Sequence, residues 1–197
     1  MTINLMSLSQ VKSELDIGST DTTYDTQITA MLPKVSADVR RILNNNFDTY
    51  VSASFDSTAD TISLSTSGER FYYGDGTVNA AAARFPIGQV VYHPNLTADS
   101  YIESYDPDTG LHTLSDTPSG AGEYVYPTIN IAQWAAIAKM IWYKISKIGT
   151  SDTTEKAVSS ESYGKISKTY SSSEVNKKWN YPQLLLDDLG TPQARIG

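Results

Sequence analysis

The period of the hydrophobic pattern changes twice along this chain. Residues 1–49 and 129–197 repeat their apolar side chains every three or four positions, as helices do, whereas residues 50–128 alternate every second position. The alternating part is also rich in Ser, Thr, Gly, Asp and Tyr. We therefore predict an α+β fold, with a helical core made of 1–49 and 129–197 and an inserted small antiparallel β domain, sandwich-like or barrel-like, at 50–128.

Two helices are predicted before the insertion. Ser7 and Gln10 have the spacing of a capping box, and the short helix after them is expected to end near Gly18. The next helix carries an apolar stripe over about five turns, in which Pro33 should cause a kink or a break. Its expected limits are Asp21 or Thr22 as the cap and 44–47 as the end.

Two further helices are predicted after the insertion. Residues 130–148 have a broad apolar face with Gly149 at the position of a C-terminal cap, so this segment should be the central core helix. A short leucine helix then runs to Gly190, with Pro182 in its first turn.

Composition excludes several classes of site. The chain has no Cys, which removes disulfides, thiol nucleophiles and cysteine zinc sites, and only two His. A net charge of -7 argues against tight nucleic-acid binding, although an acidic wall would let DNA slide past. No export signal and no apolar run of about 18 residues is visible, so we expect a soluble protein without a cofactor or membrane contact.

The candidate chemical sites are weak. Residues 106–110 resemble the start of a calcium loop, but position 117 is Thr where an EF-hand needs Glu, and a plain β-turn is favoured. A metal or general-base site could be drawn from His93 and His112 with Asp99, Asp106 and Asp108, but no spacing enforces it, and structural or surface histidines are favoured. No nucleophile elbow, P-loop or dinucleotide fingerprint occurs. We predict a protein that is not an enzyme, and a hydrolase using His and Asp is the alternative.

Tyrosines are concentrated in the predicted strands. They could stack sugars or bases on an exposed sheet, or they could pack across neighbouring strands, which we favour. The first possibility leaves open a β module that recognises a carbohydrate or a host surface. The residues are Tyr72, Tyr73, Tyr92, Tyr101, Tyr105, Tyr124 and Tyr126.

The segment 157–173 is long, polar and alternating, and neither of its faces is apolar enough to hold a strand on its own core. Main-chain hydrogen bonding to a strand of another copy is the natural use of such a segment. A flexible loop or an intrachain hairpin is the alternative.

The order of these parts resembles the head-to-tail connector (adaptor, or head completion) family of tailed bacteriophages. The resemblance covers somewhat over half of the chain and depends on order, because no single motif is diagnostic. The residues that match the sequence pattern found near the C-terminus of that family are Val158, Ser160, Glu161, Ser162, Gly164, Tyr170, Tyr181 and Pro182. The matching segments are 7–17, 23–45, 132–149, 158–170 and 180–190.

This resemblance implies a four-helix connector core that assembles into a homo-oligomeric ring, commonly a dodecamer, in the virion neck. The ring would dock on the portal protein, contact a downstream tail protein, and let packaged DNA pass without sequence-specific binding. The large β insertion distinguishes this chain from the compact members of the family. The resemblance therefore does not say which protein the insertion contacts. By position, the portal-binding residues would be Thr191, Pro192, Gln193, Ala194, Arg195, Ile196 and Gly197. The inter-subunit residues would be Val158, Ser160, Glu161, Ser162, Tyr163, Gly164, Ile166 and Tyr170.

Overall fold

The chain is a mixed α+β protein made of two compact units. Residues Met1–Asn46 and Ala132–Gly197 form one unit, here the helical unit, and Phe47–Ile131 form the other, here the β unit. A computed structural model describes residues 4–45, 47, 50–64, 85–147, 161–163, 166–168, 175–176 and 179–190, with backbone alone for the three short ranges between 161 and 176. The predicted boundaries, 49 and 128, each lie three residues from the observed ones.

Four α-helices of the helical unit lie within the described ranges: α1 (Leu8–Glu14), α2 (Asp25–Leu43), α3 (Trp134–Ser146) and α4 (Gln183–Asp188). A 3-10 turn over Ile131–Gln133 leads into α3. Helix α3 contacts the other three helices and is buried along most of its length, as its apolar sequence predicts. Its buried side chains are Trp134, Ala136, Ile137, Ala138, Met140, Ile141, Tyr143 and Ile145.

Helix α1 begins as predicted but ends earlier. The Ser7 hydroxyl accepts a hydrogen bond from the Gln10 backbone N–H at 3.1 Å, whereas the Gln10 side chain donates to Glu14 instead of completing a capping box. After Glu14 the chain takes a left-handed residue at Asp16, with φ 56°, which stops the helix before Gly18. Asp tolerates this conformation, so the expected glycine stop was wrong.

The buried Lys12 ties the start of the helical unit together. Its ammonium donates to the carbonyls of Ser19 at 3.1 Å and Asp21 at 2.6 Å, and it pairs with the Asp25 carboxylate at 3.0 Å. A buried ammonium is stable only when such partners replace water, and this one has three. The connector between α1 and α2 is thereby held by a side chain that carries no apolar signal.

Helix α2 differs from its prediction at two points. It starts at Asp25 with Tyr24 at the N-cap and no side-chain cap, so Asp21 and Thr22 do not cap it. It also continues unbroken through the exposed Pro33. Proline removes one helical hydrogen bond, and here the turn that loses it faces solvent. The predicted stop is confirmed, because Asn44 adopts the left-handed conformation with φ 52°.

The β unit is a six-stranded antiparallel sheet that nearly closes on itself. Its strands are β1 (Val51–Phe55), β2 (Thr61–Leu64), β3 (Gln89–Tyr92), β4 (Ile102–Tyr105), β5 (His112–Leu114) and β6 (Gly122–Asn130). Their order is β3-β6-β1-β2-β5-β4. The two end strands meet through a bridge between Val90 and Tyr101, so the fold is the barrel-like form of the predicted domain.

The inward side chains of these strands form one apolar core. In β1, β2 and β5 the inward residues alternate with outward ones, as the period-two pattern predicts, whereas β3 buries the consecutive residues Val90 and Val91. The sequence also predicts a strand at 69–77 with a tight turn at 74–76, and these residues lie outside the described ranges. The core comprises Val51, Phe55, Ile62, Leu64, Phe85, Val91, Leu96, Ile102, Leu114 and Val125.

Two short antiparallel pairs belong to the C-terminal part of the helical unit. Strand β7 (Glu161–Tyr163) pairs with β8 (Ile166–Lys168), and β9 (Val175–Asn176) pairs with β10 (Tyr181–Pro182). None of the helices in the described ranges is long and apolar enough to span a lipid bilayer.

Candidate interaction surfaces

Four tyrosines share the outer face of the β unit, and we name this set the tyrosine face: Tyr50, Tyr92, Tyr124 and Tyr126. Strands β3, β6 and β1 are neighbours, and Tyr92 pairs directly with Tyr126 across β3 and β6. The pairing of Val51 with Val125 brings Tyr50 alongside Tyr126 from the other side. Antiparallel pairing therefore gathers residues from three separate stretches of sequence into one patch.

The rings of the tyrosine face contact one another mostly edge to face. The centroids of Tyr124 and Tyr126 are 5.7 Å apart with ring planes at 82°, and Tyr50 lies 6.1 Å from Tyr124 and 6.4 Å from Tyr126 at 69° and 75°. Tyr92 lies 6.5 Å from Tyr126. Such contacts hold the rings in fixed positions while leaving them accessible. Tyr50 is 62% exposed and Tyr124 is 37% exposed.

A buried histidine connects the tyrosine face with the core. The His93 ring lies 4.8 Å from Tyr124 and 5.1 Å from the core residue Phe55. Its Nδ1 accepts a hydrogen bond from the Asn95 backbone N–H at 3.0 Å, which requires that this nitrogen carry no proton. Burial lowers the pKa of His93 below its ordinary value of 6.5, which also favours the unprotonated ring.

The charge of the chain is distributed unevenly between the two units. In sequence, the β unit has eleven Asp and Glu against two Arg and no Lys, a formal charge of -9. The helical unit has eleven acidic and thirteen basic residues, a formal charge of +2. The described residues of the β unit, 47, 50–64 and 85–131, include eight carboxylates and no Lys or Arg. The tyrosine face therefore belongs to a unit that carries a strong negative charge.

The predicted tyrosines divide into three groups. Tyr92, Tyr124 and Tyr126 belong to the tyrosine face, whereas Tyr105 packs at 4.7 Å against His112, and Tyr101 lies at the bridge between β3 and β4. Tyr72 and Tyr73 lie outside the described residues. Tyr50 was missed because it directly precedes the strand that starts at 51. Counting charge separately for each predicted domain would have shown the acidic excess of the β unit.

The histidines and the acidic turn have structural surroundings. His112 is fully buried on β5 beside Phe85 and Tyr105. In the 106–110 turn, the Asp106 carboxylate accepts hydrogen bonds from the Asp108 N–H at 2.9 Å and the Thr109 hydroxyl at 2.7 Å. The turn prediction is thus confirmed. Among the described residues, no group of three or more His, Asp or Glu is placed to hold a metal ion.

The predicted inter-subunit segment is described only in part. Glu161 pairs with Lys168, Ser162 with Ser167 and Tyr163 with Ile166, so this part forms the intrachain hairpin that the sequence left open. Among the described residues, each strand of this two-stranded sheet has one neighbour and one outer edge. Lying outside the described residues are Val158, Ser160, Gly164 and Tyr170. The inter-subunit role of the segment stays a prediction.

The end of the helical unit is anchored by Tyr181. Its buried hydroxyl donates to the Asp38 carboxylate of α2 at 2.8 Å, and the Lys144 ammonium of α3 lies 4.4 Å from the ring centroid. Burial, together with this hydrogen bond, raises the pKa of Tyr181 well above its ordinary range. The Gln133 amide also donates to the Leu189 carbonyl at 2.5 Å. These contacts fix α4 up to Gly190; the predicted portal-binding residues 191–197 lie outside the described residues.

Comparison with known proteins found no matching family model, no matching curated protein and no matching solved structure. The functional argument therefore rests on the residues themselves and on the resemblance noted in the sequence.

Proposed function

We propose that this chain is a structural subunit of a homo-oligomeric ring in the neck of a tailed bacteriophage, docking on the portal and linking head to tail. The observation that carries the proposal concerns the five segments that resemble the connector family. All of them, 7–17, 23–45, 132–149, 158–170 and 180–190, belong to the helical unit, although the β unit interrupts them in sequence. The described residues of this unit include four helices, α1 to α4, which is the number that the resemblance implies.

The β7–β8 hairpin supports an assembled state. A two-stranded hairpin is marginally stable in water by itself, because each strand makes only one ladder of hydrogen bonds. Its two outer edges are suited to accept a strand from a neighbouring subunit. Ring assembly would thus add backbone hydrogen bonds to a segment whose sequence lacks an apolar face.

The anchored helix α4 supports portal binding by the segment after it. Tyr181 and Gln133 hold α4 against α2 and α3, so residues 191–197 start from a fixed point. A peptide that extends from a rigid element loses less entropy on binding than one that extends from a loose end.

The charge distribution refines the argument about DNA passage. The acidic excess that would let DNA slide without sticking belongs to the β unit, whereas the helical unit is slightly basic in sequence. The proposal therefore includes no general acidic channel. It requires only that packaged DNA pass through the ring without sequence-specific binding.

The test combines the full chain with the portal protein of the same virion. We expect mass photometry and electron microscopy to show a ring of this chain on the portal, and deletion of 191–197 to abolish it. The matched control is the double variant Tyr50→Ala, Tyr124→Ala, which alters only the β unit and should still form the ring. A chain that stays monomeric and does not bind the portal would refute the proposal.

A further inference from the structure

The tyrosine face presents exposed aromatic rings on a unit of strong negative charge, and this combination restricts what can bind there. Tyr50 and Tyr124 are large, exposed and held by ring contacts, which is typical of residues that contribute strongly to protein interfaces. The described residues of the same unit include eight carboxylates and no Lys or Arg, so these rings lie in a negative electrostatic field.

We propose that the tyrosine face is a docking site for a basic, arginine-containing segment of a partner protein. Arginine side chains of that segment stack on the tyrosine rings and are attracted by the negative charge of the β unit. A guanidinium is planar and weakly hydrated, so it can lie against an aromatic face and donate to a carboxylate at the same time. The inference uses the β unit alone and is independent of the connector proposal.

Charge selects this occupant over a nucleic acid. Binding of a phosphate backbone depends on Lys and Arg, and the described residues of the β unit contain neither. The carboxylates of this surface repel phosphates and attract cations. The same repulsion opposes docking of one β unit on another, since each has a formal charge of -9.

Ring geometry selects a polypeptide over a carbohydrate. A sugar ring stacks best on an aromatic ring that offers a flat, open surface. In the tyrosine face, Tyr50, Tyr124 and Tyr126 meet at 69° to 82°, so edges alternate with faces. A guanidinium is smaller than a sugar ring and needs only one exposed ring for stacking, such as that of Tyr50.

The test is a binding titration with defined peptides and the full chain. The probe is a fluorescent peptide of alternating arginine and glycine, and peptides with lysine or glutamate in place of arginine are the comparison. We expect the arginine peptide to bind more tightly than the lysine peptide and the glutamate peptide not to bind. The variant Tyr50→Ala, Tyr124→Ala should weaken arginine-peptide binding at least about fivefold, because both rings are hot-spot candidates.

Matched variants separate the tyrosine face from general charge. Glu123→Gln and Asp108→Asn each remove one negative charge at different places in the β unit, and each should weaken binding less than the double tyrosine variant does. Ile87→Ala removes a side chain that is 65% exposed in the same unit but outside the tyrosine face, and it should bind as the parent does.

Three results would overturn the inference. The first is absence of arginine-peptide binding up to about 1 mM. The second is equal binding to the parent and to the double tyrosine variant, which would reveal charge attraction alone. The third is a different occupant, shown by oligosaccharide binding or by self-association that the double variant abolishes. Ring formation on the portal is unaffected by any of these results, so this inference and the connector proposal can fail separately.

Discussion

The ring of Phe55 lies over the backbone of Gly122, its partner on the neighbouring strand. A Cβ at Gly122 would be 2.1 Å from Phe55 Cζ and 2.5 Å from Cε1, closer than any real carbon contact. The two residues are therefore one structural feature, in which a glycine makes room for an aromatic ring that closes this end of the core.

We expect Gly122→Ala to destabilise the β unit by about 1–3 kcal/mol, the usual cost of forcing extra atoms into a packed core. The measurement is hydrogen exchange of peptides covering 50–64 and 112–130 in the full chain. Gly18→Ala is the control, because a Cβ there meets nothing within 4 Å. In the double variant Gly122→Ala, Phe55→Ala, the loss of stability should be smaller than the sum of the losses in the two single variants. A loss equal to that sum would contradict the contact between the two residues.

The acid sensitivity of the β unit should depend on His93. Because its pKa is lower in the folded chain than the ordinary 6.5, the unfolded chain binds the proton more readily. No stability is lost above about pH 6.5, and stability falls as the pH drops below that value. Protonation would also place a proton on Nδ1, where the Asn95 N–H donates.

An NMR titration of the His93 ring in the full chain checks this prediction directly. His93→Asn assigns the signal and retains an acceptor for the Asn95 N–H two residues on, as Asn does in turns. This variant should lose ring contacts and some stability, but its remaining stability should depend less on pH between about 5 and 7. A measured pKa at or above 6.5 would show that the ring is not buried as described.

The helices with a clear hydrophobic period could be predicted from the sequence, and so could the residues that end them. Helices α2 and α3 follow from apolar residues spaced by three and four, and Asn44 and Gly190 end their helices with positive φ. The exceptions have local causes. Lys12 organises the α1–α2 connector through backbone carbonyls, which no side-chain pattern reveals.

The tyrosine face could not be predicted as a unit, because it depends on which strands become neighbours. Tyr50, Tyr92 and Tyr126 are far apart in sequence and meet only through the order β3-β6-β1. Alternation indicated that tyrosines share strand faces, but the pairing register of distant strands is set by tertiary packing. The edge-to-face geometry, which decides between ligand classes, is visible only in the folded chain.

The last prediction concerns the anchor of α4. Tyr181→Phe removes the hydrogen bond to the Asp38 carboxylate and should destabilise the helical unit by about 1.5–3 kcal/mol, as expected for a hydrogen bond to a charged group. Trp134, Trp142 and Trp179 all belong to this unit, so urea unfolding followed by tryptophan fluorescence measures it. Tyr24→Phe is the control, since its ring stays against Trp142.

The same variant should alter the response to alkali. The folded chain holds the phenol of Tyr181 neutral, with a pKa raised above the ordinary 10.0, so its contribution is complete below about pH 10 and is lost as the pH rises further. Between about pH 8 and pH 11, Tyr181→Phe should therefore lose less stability than the parent or Tyr24→Phe. Equal losses of stability in all three chains would mean that the Tyr181 hydroxyl is open to water. Helix α4 would then lack the anchor from which residues 191–197 are proposed to reach the portal.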